Sequence, residues 1–212
     1  MEIREIDELG NIKSKIDSFE NPLSVPYSQY FGEMSLSDDE KEKREELARQ
    51  FEDIFLVTFA LIKTMRYTEE YMANRLYNNY LETVSNFSKP DERLKEYASG
   101  ISQDIAGTTF RNIDSKYFTS ADRAMFIAEN EANTDMNYLE YVKAINNGKT
   151  KKKWIDMKDK RERKTHLKVG SMTLPIERPF TVGDSLMQFP KDFSLGADAK
   201  EIVNCRCSII YY

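Results

Sequence analysis

Asn147-Gly148-Lys149-Thr150-Lys151-Lys152-Lys153-Trp154 is the stretch at which the chain changes character. Before it, apolar residues recur every three or four positions, the period of an α-helix. After it, Pro, Gly and short β-prone runs take over, as in Val182-Gly183-Asp184 and the closing Cys205-Arg206-Cys207-Ser208-Ile209-Ile210-Tyr211-Tyr212. Asn-Gly itself is a common helix stop, because both residues tolerate the left-handed conformation of a C-terminal cap. The expected fold is α+β: a mostly helical N-terminal domain over 35–148, then a small α+β C-terminal domain over 149–212.

Upstream of that stop, Thr119 or Ser120 caps a helix carrying Ala124, Ile127, Ala128, Ala132, Tyr138, Tyr141, Val142 and Ile145. Pro90, with Asp91 and Glu92 in the first turn, starts a shorter helix that runs to Gly107. Further back, Ser37-Asp38-Asp39-Glu40 is a capping box, opening an amphipathic pattern of Leu47, Phe51, Ile54, Phe55, Leu61, Ile62 and Met65. A second helical stretch follows, from Tyr71 to Val84, and the pattern between the two either breaks or continues near Thr68. Residues 1–34, with Gly10, Pro22, Pro26 and Gly32 and little periodicity, are expected to be an extended arm. The aromatic residues at helical spacing belong to the core rather than to a base-stacking platform.

Charge divides the chain along the same line. Its net charge is -5, yet residues 149–168 hold ten Lys or Arg against three acidic residues, whereas residues 1–148 carry a net -11. Such an asymmetry suggests modules with different partners. With 32% charged residues and no apolar run of eighteen, a membrane span is not expected, and the N-terminus lacks the pattern of a secretory signal. Synthesis in the cytoplasm follows from that reading. The only two cysteines, Cys205 and Cys207, are too close in sequence to form a disulfide framework, which leaves reduced thiols or a metal site.

The C-terminal segment has a compound pattern. Lys153-Trp154 precedes Asp159-Lys160-Arg161-Glu162-Arg163-Lys164-Thr165-His166, then come Pro175-Ile176-Glu177-Arg178-Pro179-Phe180, Pro190 and Glu201-Ile202-Val203-Asn204-Cys205-Arg206-Cys207. In order and spacing this resembles the phage head morphogenesis family, the Mu F-like minor head proteins, over residues 120–212. Two departures stand out. The family usually shows Asp-Gly after the histidine where this chain has Gly170-Ser171, and some members have Cys-x-x-Cys where Arg163 and His166 stand. The resemblance implies a virion component in the head interior near the portal, with portal, major capsid or scaffold protein as partners. It implies no enzymatic activity. Double-stranded DNA, bound without sequence specificity, is a further expected partner.

Several residues are candidates for the chemistry. On one strand Cys205 and Cys207 would face the same way, and with His166 and either Asp159 or Glu201 they make a tetrahedral zinc set. The alternative makes both cysteines small apolar residues and His166 an internal hydrogen-bonding group, with no cofactor at all. Asp159, Arg161, Arg163 and Arg206 are expected to form an ionic lattice, with Trp154 and Phe180 as anchors and Asn204 within the closing motif. Lys149, Lys151, Lys152, Lys153, Lys158 and Lys160 are the candidate contacts to DNA or portal. Two other functions remain open. One is a phage-encoded toxin or nucleic-acid-processing enzyme, for which an added effector domain is expected, whereas five residues follow Cys207. The other is a metal-binding, DNA-associated protein of a mobile element, disfavoured by the acidic net charge and the lack of a clear helix-turn-helix.

Overall fold

Ser37 and Glu40 cap each other's backbone: the Ser37 N–H donates to Glu40 Oε2 at 2.9 Å, and the Glu40 N–H donates to Ser37 Oγ at 3.4 Å. The helix they open runs Asp38–Lys63 (α2). The structure is a computed structural model and describes residues 25–159 and 161–212. Most of the expected arm, residues 1–24, lies outside the described residues, as does Lys160. Residues 25–34 are not extended. A short helix, Tyr27–Gly32 (α1), places Tyr27, Tyr30 and Phe31 on one buried stripe, continued by buried Met34. The i, i+3, i+4 spacing of those aromatics was the signal, masked by the Pro and Gly around them.

The pattern breaks near Thr68, where Met65 is left-handed and the Thr68 hydroxyl caps the next helix, Glu69–Ser85 (α3). Pro90 stands outside the following helix. Asp91 is the cap, accepting from the Leu94 N–H at 3.0 Å, and the helix spans Glu92–Arg111 (α4). It passes through Gly107 because that glycine is a packing site rather than a stop: a Cβ there would lie 2.7 Å from Glu69 Oε1. After a 3₁₀ turn at Lys116–Thr119, Ser120 caps a long helix, Ala121–Asn146 (α5), and Gly148 is left-handed as a C-terminal stop requires.

Beyond Gly148 the elements are short. In order they are Lys151–Ile155 (β1), Lys164–Val169 (α6), Thr173–Pro175 (β2), Phe180–Val182 (β3), Ser185–Met187 (β4), Ala199–Ile202 (α7) and Ser208–Tyr211 (β5). β1 is the centre of an antiparallel sheet ordered β2-β1-β5, with Trp154 opposite Ile209 and Lys152 opposite both Leu174 and Tyr211. β3 and β4 make a separate hairpin. The fold is α+β, with helices in the N-terminal region and a small antiparallel sheet in the C-terminal one.

The chain forms two compact units, and their boundary is not residue 148. One comprises residues 25 and 46–131 among those described. Its core includes Phe51, Phe55, Phe59, Ile62, Met72, Leu76, Tyr80 and Ile105. Buried Glu131 accepts hydrogen bonds from the Tyr80 and Tyr97 hydroxyls, and Arg123 lies over the rings of Phe59 and Phe118. The other comprises residues 26–45 and 132–212, so the second half of α5 packs with the C-terminal segment. There Tyr138 and Tyr141 stack around Phe189, and Trp154 meets Phe180 edge-on.

Candidate functional site

His166 lies on α6, and Cys205 and Cys207 lie in the segment between α7 and β5 rather than within a strand. They still point to one place. Side chains of extended backbone alternate whether or not the ladder bonds form, so Arg206 between them is directed elsewhere. The turn that delivers them depends on Asn204, which is left-handed at φ 57°, a conformation asparagine tolerates. The Cys205 carbonyl is held by Asn133 Nδ2 of α5 at 3.0 Å.

His166 Nδ1 is 3.4 Å from Cys207 Sγ and 3.5 Å from Cys205 Sγ, and its other nitrogen, Nε2, is 3.1 Å from Glu201 Oε2. Thr165 Oγ1 donates to the same carboxylate oxygen at 2.8 Å. Gly183, in the β3–β4 turn, is left-handed, and a Cβ on it would come within 2.8 Å of Glu201 Oε1, so the hairpin glycine makes room for this carboxylate. Glu162 Oε1 approaches Cys207 Sγ at 3.9 Å, and its other oxygen accepts from the Lys158 N–H. The Trp154 ring stands edge-on to the imidazole, 5.7 Å between centroids. Each of His166, Cys205, Cys207 and Glu201 is at most 2% exposed.

Titration within this cluster is shared. Burial opposes ionisation of Cys205, yet hydrogen bonds from Cys207 and His166 outweigh it and hold that thiol well below its usual range. The bond to Cys205, with burial, pushes Cys207 upward. Burial also disfavours a charged His166, but the Cys205 sulfur more than compensates and raises it. Burial raises the Glu162 carboxyl. One sulfur of the pair thus takes the charge, and the other keeps its proton.

Asp159 is not in this cluster. It accepts from Arg206 Nη2 and, at 2.8 Å, from the Arg161 N–H, and these bonds hold its carboxyl below the usual range despite the cost of burial. Glu33 completes the ionic lattice, bonded by Arg161 at 2.6 Å and Arg206 at 2.7 Å. Arg163 stays out of it, donating to the Val203 carbonyl. Glu33 escaped the sequence reading because it stands among the residues expected to be an arm, 128 positions from Arg161. Trp154 and Phe180 are both fully buried.

The basic run divides by burial. Lys149, Lys151 and Lys158 are exposed and Lys153 is half-buried. Lys152 is a correction: as the inward-facing residue of β1 it is fully buried, its ammonium near the Tyr141 and Phe180 rings and bonded to Gln188 Oε1, so it touches no external polyanion.

No curated protein and no solved structure matches the chain. A family model does, over residues 92–210, which span α4, α5 and the whole His-Cys-Cys and Arg-Asp arrangement. More than half of the sequence is therefore covered, and the chain belongs to the family described as Phage Mu protein F like protein.

Proposed function

We propose that the chain is a minor head protein of a tailed phage or prophage, which binds the portal protein during head assembly and remains inside the head close to it. The observation that carries this reading is the family match over 92–210. Charge supports it. A protein that must meet both other head proteins and DNA needs surfaces of different character, and here the region up to 148 is strongly acidic while 149–168 is strongly basic. No helix among the described residues is long and apolar enough to cross a membrane. In this proposal the acidic helices supply surface for portal, scaffold or major capsid protein, and the exposed lysines Lys149, Lys151 and Lys158, with Lys153 at their edge, meet DNA or an acidic portal face.

A hydrolytic reading is weaker on physical grounds. Cys205, His166 and Glu201 stand in the order of a nucleophile, base and orienting carboxylate, but a nucleophile must be reached by its substrate, and all three are buried. The arrangement suits holding rather than turnover.

Co-expression with the portal protein of the same genome, followed by light scattering at moderate salt, tests the proposal. A complex of fixed stoichiometry is expected. Absence of any association at low and moderate salt would move the weight to the effector and DNA-associated readings.

A further inference from the structure

We propose that His166 Nδ1, Cys205 Sγ and Cys207 Sγ bind a zinc ion, with Glu201 holding the imidazole through Nε2. The inference is independent of any role with the portal.

Three observations carry it. The three donor atoms lie within 4.8 Å of one another in a buried place. Zinc bonds of roughly 2.3 Å to sulfur and 2.0–2.1 Å to nitrogen set the N···S edge of a tetrahedron at about 3.5 Å. The two edges here are 3.4 and 3.5 Å. A cation between the three atoms would use the Nδ1 lone pair and both sulfurs at once.

The second observation is the tie behind the ligand. A metal-bound histidine ordinarily donates its remaining N–H to a carboxylate, which fixes the tautomer and the ring's orientation. Glu201 is so placed at 3.1 Å, is itself anchored by Thr165, and has its space kept by Gly183. The third is the donor chemistry. Two thiolates and one imidazole favour zinc over the hard cations, and all three donors are buried. The ion would cross-link α6 to the segment before β5 in a region whose sheet strands are only three to five residues long.

The experiment uses the full chain, purified without chelator, and measures zinc by elemental analysis. About one equivalent per chain supports the site. Chelator-treated, fully reduced protein is then titrated with Co²⁺ alone, whose tetrahedral thiolate complexes absorb strongly in the near ultraviolet. Absorption that saturates at one equivalent supports the proposal. Zinc below a tenth of an equivalent, together with no cobalt–thiolate band while both thiols titrate as reduced, would overturn it. Glu201→Gln leaves the thiols in place and is expected to weaken Co²⁺ binding about 10–100-fold. Asp159→Asn is expected to leave it unchanged, because that carboxylate belongs to Arg206. Equal weakening by both variants would refute the role given to Glu201.

Discussion

Lys152 shows how far one residue can depart from the run of sequence around it. Among ten basic residues in twenty it looks like one more surface charge, yet it is the inward position of the central strand. Burial pushes its pKa down from 10.5 to about 8, with Asp192 pulling the other way. The sign follows from linkage. A lysine whose pKa is lower in the folded chain opposes folding while protonated, so it destabilises most below about pH 8, and the effect fades as pH rises toward 10.5. Lys152→Met is therefore expected to be more stable than the native chain at pH 7, with the gap narrowing by pH 9.5. Urea midpoints of the two proteins at both pH values measure this, and a gap that widens would show the charge is not what matters. His166, Cys205 and Cys207 were legible at this scale because their side-chain types are rare in the chain and chemically specific. The same reading offered Asp159 or Glu201 beside them; Glu201 stands at His166, and Asp159 is drawn away by Arg206, a partner that only the fold brings near.

At the scale of elements, the first turns of α2 and the second half of α5 are joined by a buried arginine. Arg44 donates from Nε to Asn133 Oδ1, from Nη2 to Asn137 Oδ1, and from both Nη atoms to the two oxygens of Glu140 at 2.8 and 2.9 Å. The planar guanidinium fits this demand because its donors fan toward acceptors on three side chains at once. Truncating it leaves two buried amides and a carboxylate without their donor, so Arg44→Ala is expected to cost about 3–5 kcal/mol. Arg44→Met combined with Glu140→Met should recover much of that loss, since it removes the stranded charge as well. Chemical denaturation of the three proteins checks it, and a single-variant loss below about 1 kcal/mol would mean the arginine is not the tie. The helices themselves were readable, because capping at Ser37 and Ser120 and the Asn147-Gly148 stop are local signals. Arg44 was not, since its partners lie 89 to 96 positions away and a charged residue near a helix start reads as solvated. For the same reason α1 was missed: its stripe of aromatics is shorter than two turns, and the Pro and Gly beside it signal irregular chain.

Across the whole molecule, the change at Gly148 told truly of fold class but not of how the units divide, because composition follows secondary structure while packing follows long-range contacts. The second half of α5 is helical like what precedes it, yet Asn133 and Asn137 hold the carbonyls of Cys205 and Pro190. The charge asymmetry was visible at once, and burial then refines which lysines can act: Lys149, Lys151 and Lys158 are exposed, and Lys152 is not. Their use on DNA can be read from salt. A net charge of -5 repels duplex DNA overall, so any binding must come from a local patch and should be independent of sequence. Each phosphate neutralised contributes about 0.9 to the slope of log affinity against log salt. If Lys149, Lys151 and Lys158 each meet a phosphate, replacing all three by alanine lowers the slope by up to about 2.7 and weakens binding to every duplex alike, while Lys152→Met leaves the slope unchanged. Fluorescence anisotropy on two unrelated duplexes, between low and moderate salt, separates these outcomes. A slope untouched by the triple replacement would assign the basic run to a protein partner, and the same triple replacement would then be expected to weaken the complex with the portal.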